Sequence, residues 1–186
     1  MKINRIMCLA VVTLFIFSFA CQTTPPPPGV QTDPAAKVKS AATPQGGDVP
    51  APLPDKAFKA EITLVDPPAK LRAGQKETIR IKIKNASDSM WWARGGRVNT
   101  RNDNKYYIAV GDRWLKSDGS LLTNMDGRYG IPKDLAAAEE TEVSLSITAP
   151  KEPGDYTLEI DLVQEQVAWF SEKGSPTAKT KISVVK

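Results

Sequence analysis

Five stretches of this chain change from apolar to polar at every second residue. They are FKAEITL (58–64), TIRIKIK (78–84), TEVSLSIT (141–148), DYTLEIDLV (155–163) and KTKISVV (179–185). Successive side chains of a β-strand point to opposite faces, so this period predicts strands with one buried and one wet face. In the second stretch Ile79, Ile81 and Ile83 share one side, and Arg80, Lys82 and Lys84 share the other. Helix signals are nearly absent. Only DLAAAEE (134–140) has helix-forming composition, and it is too short for more than one turn.

Turn signals fall between the strands: Asp66-Pro67-Pro68, Ala73-Gly74, Ser117-Asp118-Gly119, Met125-Asp126-Gly127 and Pro153-Gly154. Asp118-Gly119 predicts a hairpin with a two-residue primed turn, which needs positive φ. Short antiparallel strands without crossover helices predict an all-β domain over residues 57–186, an immunoglobulin or fibronectin III-like β-sandwich. Pro153-Gly154-Asp155-Tyr156 fits a tyrosine corner at the entry of a late strand.

The chain opens with MKINRIMCLAVVTLFIFSFAC, a basic start (Lys2, Arg5), an apolar run and a small residue before Cys21. This is the layout of a secretory signal over residues 1–20, too short for a membrane span of roughly 20 apolar residues. Ser18-Phe19-Ala20-Cys21 resembles the lipobox of bacterial lipoproteins, in which the cysteine is acylated and becomes the new N-terminus. Ser18 stands where a branched aliphatic residue is usual, and ordinary cleavage near Ala20 is the other reading. Cys8 leaves with the signal, so Cys21 is the mature chain's single thiol, and no disulfide framework is expected. Several acyl chains would anchor the protein stably to a membrane. Gln22, rather than Asp, follows Cys21, and the resemblance to lipoprotein sorting in enteric-type bacteria implies the outer membrane.

Residues 21–56 then form a lipidated N-terminus and a Pro/Ala-rich linker, with nine prolines between 22 and 56. Such a segment cannot bury enough surface to offset its ordering entropy and is expected to be a disordered, partly polyproline tether. Lys2 and Arg5 account for two of the four formal positive charges, so the mature side chains carry no basic field that would argue for nucleic acid.

Within the domain, the sequence from Ala73-Gly74-Gln75 through Asn85 and Trp91, Trp114-Leu115 and Asp118-Gly119 to Pro153-Gly154-Asp155-Tyr156 and Val167-Ala168-Trp169-Phe170 carries a resemblance. It resembles an immunoglobulin-like module of bacterial envelope proteins and of the ends of membrane glycosyltransferases, and is similar in layout to the four-tryptophan immunoglobulin-like domain. DLVQEQVAWFSEKG (161–174) is its most specific part. At 136–139 Ala-Ala-Ala-Glu stands where the pattern has Pro-Gly-Glu. The resemblance implies a binding or spacer module and brings no catalytic residues.

There is no histidine, nucleophile elbow, phosphate loop or zinc spacing. NTRNDN (99–104) offers oxygen ligands without the spacing or glycine of a calcium loop. Glu159 and Asp161 read as solvated, outward strand positions, so neither an enzyme, a metal site nor a cofactor is expected. The aromatics say more. Trp91 and Trp92 cannot both enter one core. The resemblance places Trp91 inside, which leaves Trp92 on the outer face or packed under the loop from Leu122 to Leu135. Trp114 is expected in the core, and Trp169-Phe170 again faces two ways. A ligand surface of Trp92, Arg94, Tyr106, Tyr107 and Arg128 follows, suited to an envelope glycan or a partner protein. The alternative is a structural or assembly subunit that pairs through a sheet edge.

Overall fold

The structure is a computed structural model that describes residues 49–96, 102–123 and 126–186. Cys21, the apolar leader, the linker up to residue 48 and residues 99–101 of NTRNDN lie outside the described residues. In chain order the described strands are β1 (Ala60–Val65), β2 (Lys70–Arg72), β3 (Lys76–Asn85), β4 (Ile108–Leu115), β5 (Leu121–Thr123), β6 (Arg128–Gly130), β7 (Glu140–Thr148), β8 (Gly154–Gln164), β9 (Ala168–Trp169) and β10 (Ala178–Val185). Two 3-10 turns, Asp55–Ala57 and Ser171–Lys173, are the helical elements among the described residues.

The strands build the expected all-β sandwich. A smaller sheet has the order β1-β3-β7, and a larger one β2-β10-β8-β4-β5, with β6 beside β4 and β9 beside β8. Every pairing is antiparallel except that of β2 with β10. The alternation read in the sequence is what closes the core. Ile79, Ile81 and Ile83 of β3 and Val143, Leu145 and Ile147 of β7 pack with Val110, Trp114, Leu158, Ile160, Leu162, Ile182 and Val184 of the larger sheet. Each such aliphatic side chain contributes about 1.5–3 kcal/mol when buried. The other face of the smaller sheet carries exposed cross-strand ion pairs: Lys84–Glu61 at 3.1 Å, Lys82–Glu140 at 2.8 Å and Arg80–Glu142 at 3.7 Å. Solvent screening keeps each of these pairs weak.

Local signals hold with one change of turn type. The Tyr156 hydroxyl donates to the Glu152 carbonyl at 3.0 Å, which makes the expected tyrosine corner. The β4–β5 hairpin closes through Lys116 N–H to Ser120 C=O, leaving a three-residue loop, and Gly119 alone in that loop takes positive φ (+82°). This corrects the two-residue primed turn: the left-handed glycine follows a tighter turn and absorbs a bulge. DLAAAEE forms a turn into β7, with Ala138 at φ +64° and the Glu139 carboxylate accepting the Ala136 N–H.

The linker joins the domain before Lys56. Buried Gln164, at the end of β8, accepts the Leu53 N–H (2.8 Å) and donates to the carbonyls of Ala51 (2.8 Å) and Tyr106 (3.0 Å). Pro50 is buried, Leu53 packs on the core, and Lys173 meets Asp55 at 2.8 Å. The disordered reading of residues 21–56 is corrected at this end, because a buried amide that is fully bonded to a backbone segment holds that segment in place. The chain thus enters at one end of the strands. The β4–β5 hairpin and the β7–β8 turn lie at the other.

Two sheet edges differ. On the free side of β7, the Tyr129 hydroxyl donates to Ser146 C=O at 3.1 Å and the Asp126 carboxylate accepts the Thr148 N–H, so the edge is partly covered. On β1, the register with β3 turns the backbone groups of Ala60, Ile62 and Leu64 outward; the Ala60 N–H donates to Ser175 Oγ at 3.0 Å.

Candidate functional site

The five residues expected to form a ligand surface are not one surface. Trp92 is 6% exposed and Tyr107 1%, so neither is a stacking platform. Both are buried outside the core cluster, and Trp91 and Ile108 next to them lie within it. The backbone explains this. Trp91 exchanges N–H···O=C bonds with Leu135 (2.9 and 3.0 Å), and the Trp92 carbonyl accepts the Ile108 N–H (2.9 Å). The segment is extended and bonded on both edges, through an isolated bridge to Leu135 and the bond from Ile108, and the side chains on both of its faces are buried. Arg94 is exposed. Tyr106 is half-buried with φ +73°, which exposes its N–H to the Glu165 carbonyl (3.0 Å). Arg128 pairs with the Glu165 carboxylate at 2.6 Å, and so Glu165 links Arg128 to the Tyr106–Tyr107 backbone.

The tryptophan at the surface is Trp169. Its neighbour Phe170 enters the core, edge-on to Phe58 and to Trp91 at 5.0 Å each. Alternation therefore turns Trp169 onto the outer face of the larger sheet, where its ring has the guanidinium carbons of Arg113 at 5.4 Å and Arg128 at 5.3 Å. Contacts of this kind are worth about 0.5–2 kcal/mol and fix the orientation of the ring.

Beneath it lie Glu159 and Asp161, which point outward as expected but are not solvated: they are 8% and 1% exposed. Arg113 lies across both, 3.5 Å from Glu159 Oε2 and 3.2 Å from Asp161 Oδ2. Ser171 donates to Asp161 (2.6 Å), Thr177 to Glu159 (2.8 Å), and Lys179 pairs with Glu159 at 3.2 Å. Burial pushes Asp161 above the usual carboxylate range despite the Ser171 and Leu162 bonds and the Arg113 charge. Burial also acts on Glu159, but the bonds from Thr177 and Lys179 with the charges of Arg113 and Lys179 outweigh it and hold this carboxyl low. The face is thus a charge-compensated grid of donors and acceptors beside a half-buried indole. Alternation in the sequence assigned these side chains to the outer face; it could not show that they cover one another.

Among the described residues no group of three or more His, Cys, Asp or Glu is placed to hold a metal ion, and no helix is long and apolar enough to cross a membrane. No family model and no curated protein matches the chain. Solved structures do. The CARDB domain of a Pyrococcus furiosus protein aligns at 16% identity and TM-score 0.40 over 68% of this chain and 86% of that one. The C-terminal domain of wzt aligns at 13% and 0.41, over 68% and 71%. A β-glucosidase from Listeria innocua aligns at 13% and 0.42 over 69% of this chain, but only 16% of the enzyme. None of their activities carries to this chain at such identities and scores.

Proposed function

We propose that this chain is a lipid-anchored binding module of the bacterial cell envelope, held at the outer membrane through acylated Cys21, which recognises an envelope glycan or a partner protein without catalysis. The observation that supports binding is Trp169, oriented by Arg113 and Arg128 on a face dense in fixed donors and acceptors. An aromatic face edged by ordered hydrogen-bonding groups suits sugar stacking or a protein hot spot. Trp169→Ala should abolish capture of envelope glycan or protein partners by the full-length protein in cell-envelope extracts while leaving its melting temperature within a few degrees of the parent. Undiminished capture by the variant would remove this face from the reading. Cys21→Ala should release the protein from membranes into the soluble fraction, and retention in the detergent phase would refute the anchor.

One observation favours the second reading, assembly through a sheet edge. The outward backbone groups of Ile62 and Leu64 on β1 face away from β3, and the side chains of both are only half-buried. A proline at Ile62 removes an N–H that β3 does not use. Loss of assembly in that variant, with binding through Trp169 intact, would favour this second role.

A further inference from the structure

Three buried side-chain atoms of β4 have no hydrogen-bond partner, Asp112 Oδ2, Arg113 Nε and Trp114 Nε1; Arg113 Nε lies 3.5 Å from Glu159 Oε2 on the outer face, which leaves Asp112 and Trp114. Both residues are 0% exposed, lie two positions apart, and so share the inward face of one strand, with Cα atoms roughly 7 Å apart. Buried polar groups are almost always partnered, and a buried carboxylate oxygen left alone is costly. One of these atoms is an acceptor and the other a donor. A metal ion could serve the carboxylate but could not accept the indole N–H. An oxygen that both donates and accepts serves both, since two hydrogen bonds of about 2.9 Å span nearly 6 Å.

Asp112 and Trp114 do not line a cleft themselves, but each contacts one wall residue, Asp126 and Tyr156, of a cleft of about 350 Å3 at the end of the sandwich away from the linker, whose wall also includes Leu122, Thr148, Pro150 and Glu152. The Asp126 N–H donates to Asp112 Oδ1 at 3.1 Å, and the Tyr156 ring stands edge-on to Trp114 at 6.4 Å. One residue on each side therefore separates the unpartnered pair from the cleft, and the cleft itself joins an aromatic wall and apolar surface to carboxylates. Leu122, 38% exposed, stands at its rim.

We propose that this cleft is a second binding site, for a small polyhydroxy ligand such as a sugar unit, one hydroxyl of which passes between Asp126 and Tyr156 to accept from Trp114 Nε1 and donate to Asp112 Oδ2. The site is separate from the outer face around Trp169, and either can fail without the other.

The indole N–H of Trp114 is its own reporter. The full-length mature protein, labelled with nitrogen-15 in detergent micelles, is titrated with glucose, N-acetylglucosamine and glycerol. Trp114→Phe, which keeps an aromatic ring against Tyr156, assigns the Trp114 indole signal. At least one of the three compounds should shift that signal saturably while the Trp169 signal stays in place. Asp112→Asn retains an acceptor for the Asp126 N–H but removes the hydroxyl's acceptor, and should weaken binding on the order of tenfold. An indole signal that exchanges with water and is unmoved by all three compounds would mean that an internal water alone serves the two atoms, and would overturn the proposal. So would equal affinity in the Asp112→Asn protein.

Discussion

Trp91 and Trp92 are adjacent and both buried, yet only Trp91 belongs to the core between the sheets, where it meets Phe170 at 5.0 Å and its indole N–H donates to Ala57 C=O at 3.4 Å. The strand-like backbone keeps the two rings on opposite sides, and each side is covered.

The two tryptophans should therefore behave alike on truncation. Trp91→Ala and Trp92→Ala should each cost on the order of 3–5 kcal/mol, a large share of a domain's total stability. Urea denaturation of the two variants checks this. A loss below about 1 kcal/mol at Trp92 would mean that its ring is solvated, which would restore it as a ligand residue.

Asp112 should make stability depend on pH. Its carboxyl titrates near 3.8 when unperturbed, and burial first of all, with the Asp126 charge acting the same way, pushes it up to about 6 in the fold. Folding takes up a proton between those values. Stability from this group is fully present below about 4, is lost as the pH rises to about 6, and changes no further above that. A shift of about two pH units corresponds to a difference on the order of 3 kcal/mol. The Asp112→Asn protein lacks this dependence, so its stability relative to the parent should rise between pH 4 and pH 7. Parallel stability curves for the two proteins would contradict the assignment.

The sheet pattern and its limits were legible from residue order. The alternation of 78–84 and 141–148 gave the faces of β3 and β7, and Tyr156 gave the corner, because these depend on local period and local bonds. The burial of Trp92, Tyr107, Glu159 and Asp161 was not legible. Period two states which face a side chain takes and is silent on what covers that face, which here is chain distant in sequence: Ser171 and Arg113 over Asp161, and Leu135 beside Trp91. Trp169 was half legible, since alternation required one member of Trp169-Phe170 to face out but could not choose between them.

Arg113 should be the costly residue of the outer face. Arg113→Met leaves Asp161 buried with only its Ser171 and Leu162 hydrogen bonds and should destabilise the domain by about 3–5 kcal/mol, the usual cost of removing one partner of a buried pair. Adding Asp161→Asn should recover a good part of that loss, and a double-mutant cycle measures the recovery. Additive losses would show that Arg113 and Asp161 are not coupled.

Gln164→Ala should free the end of the linker. Three hydrogen bonds of the side chain are lost, at a cost of about 1–3 kcal/mol where the partners remain buried. Limited proteolysis should then cut between residues 50 and 56 faster than in the parent, and equal cutting rates would show that Leu53 packing alone holds the stretch.

The clip made by Gln164 also decides how the domain bears load. On the anchoring proposed above, tension from the membrane would enter at Ala51 and Leu53, at one end of the strands, and a ligand gripped in the cleft by Tyr156 would pull from the other. Force then runs lengthwise along β8 and its neighbours, so their ladder bonds are loaded in shear and must yield together, whereas a pull from the side would open them one at a time.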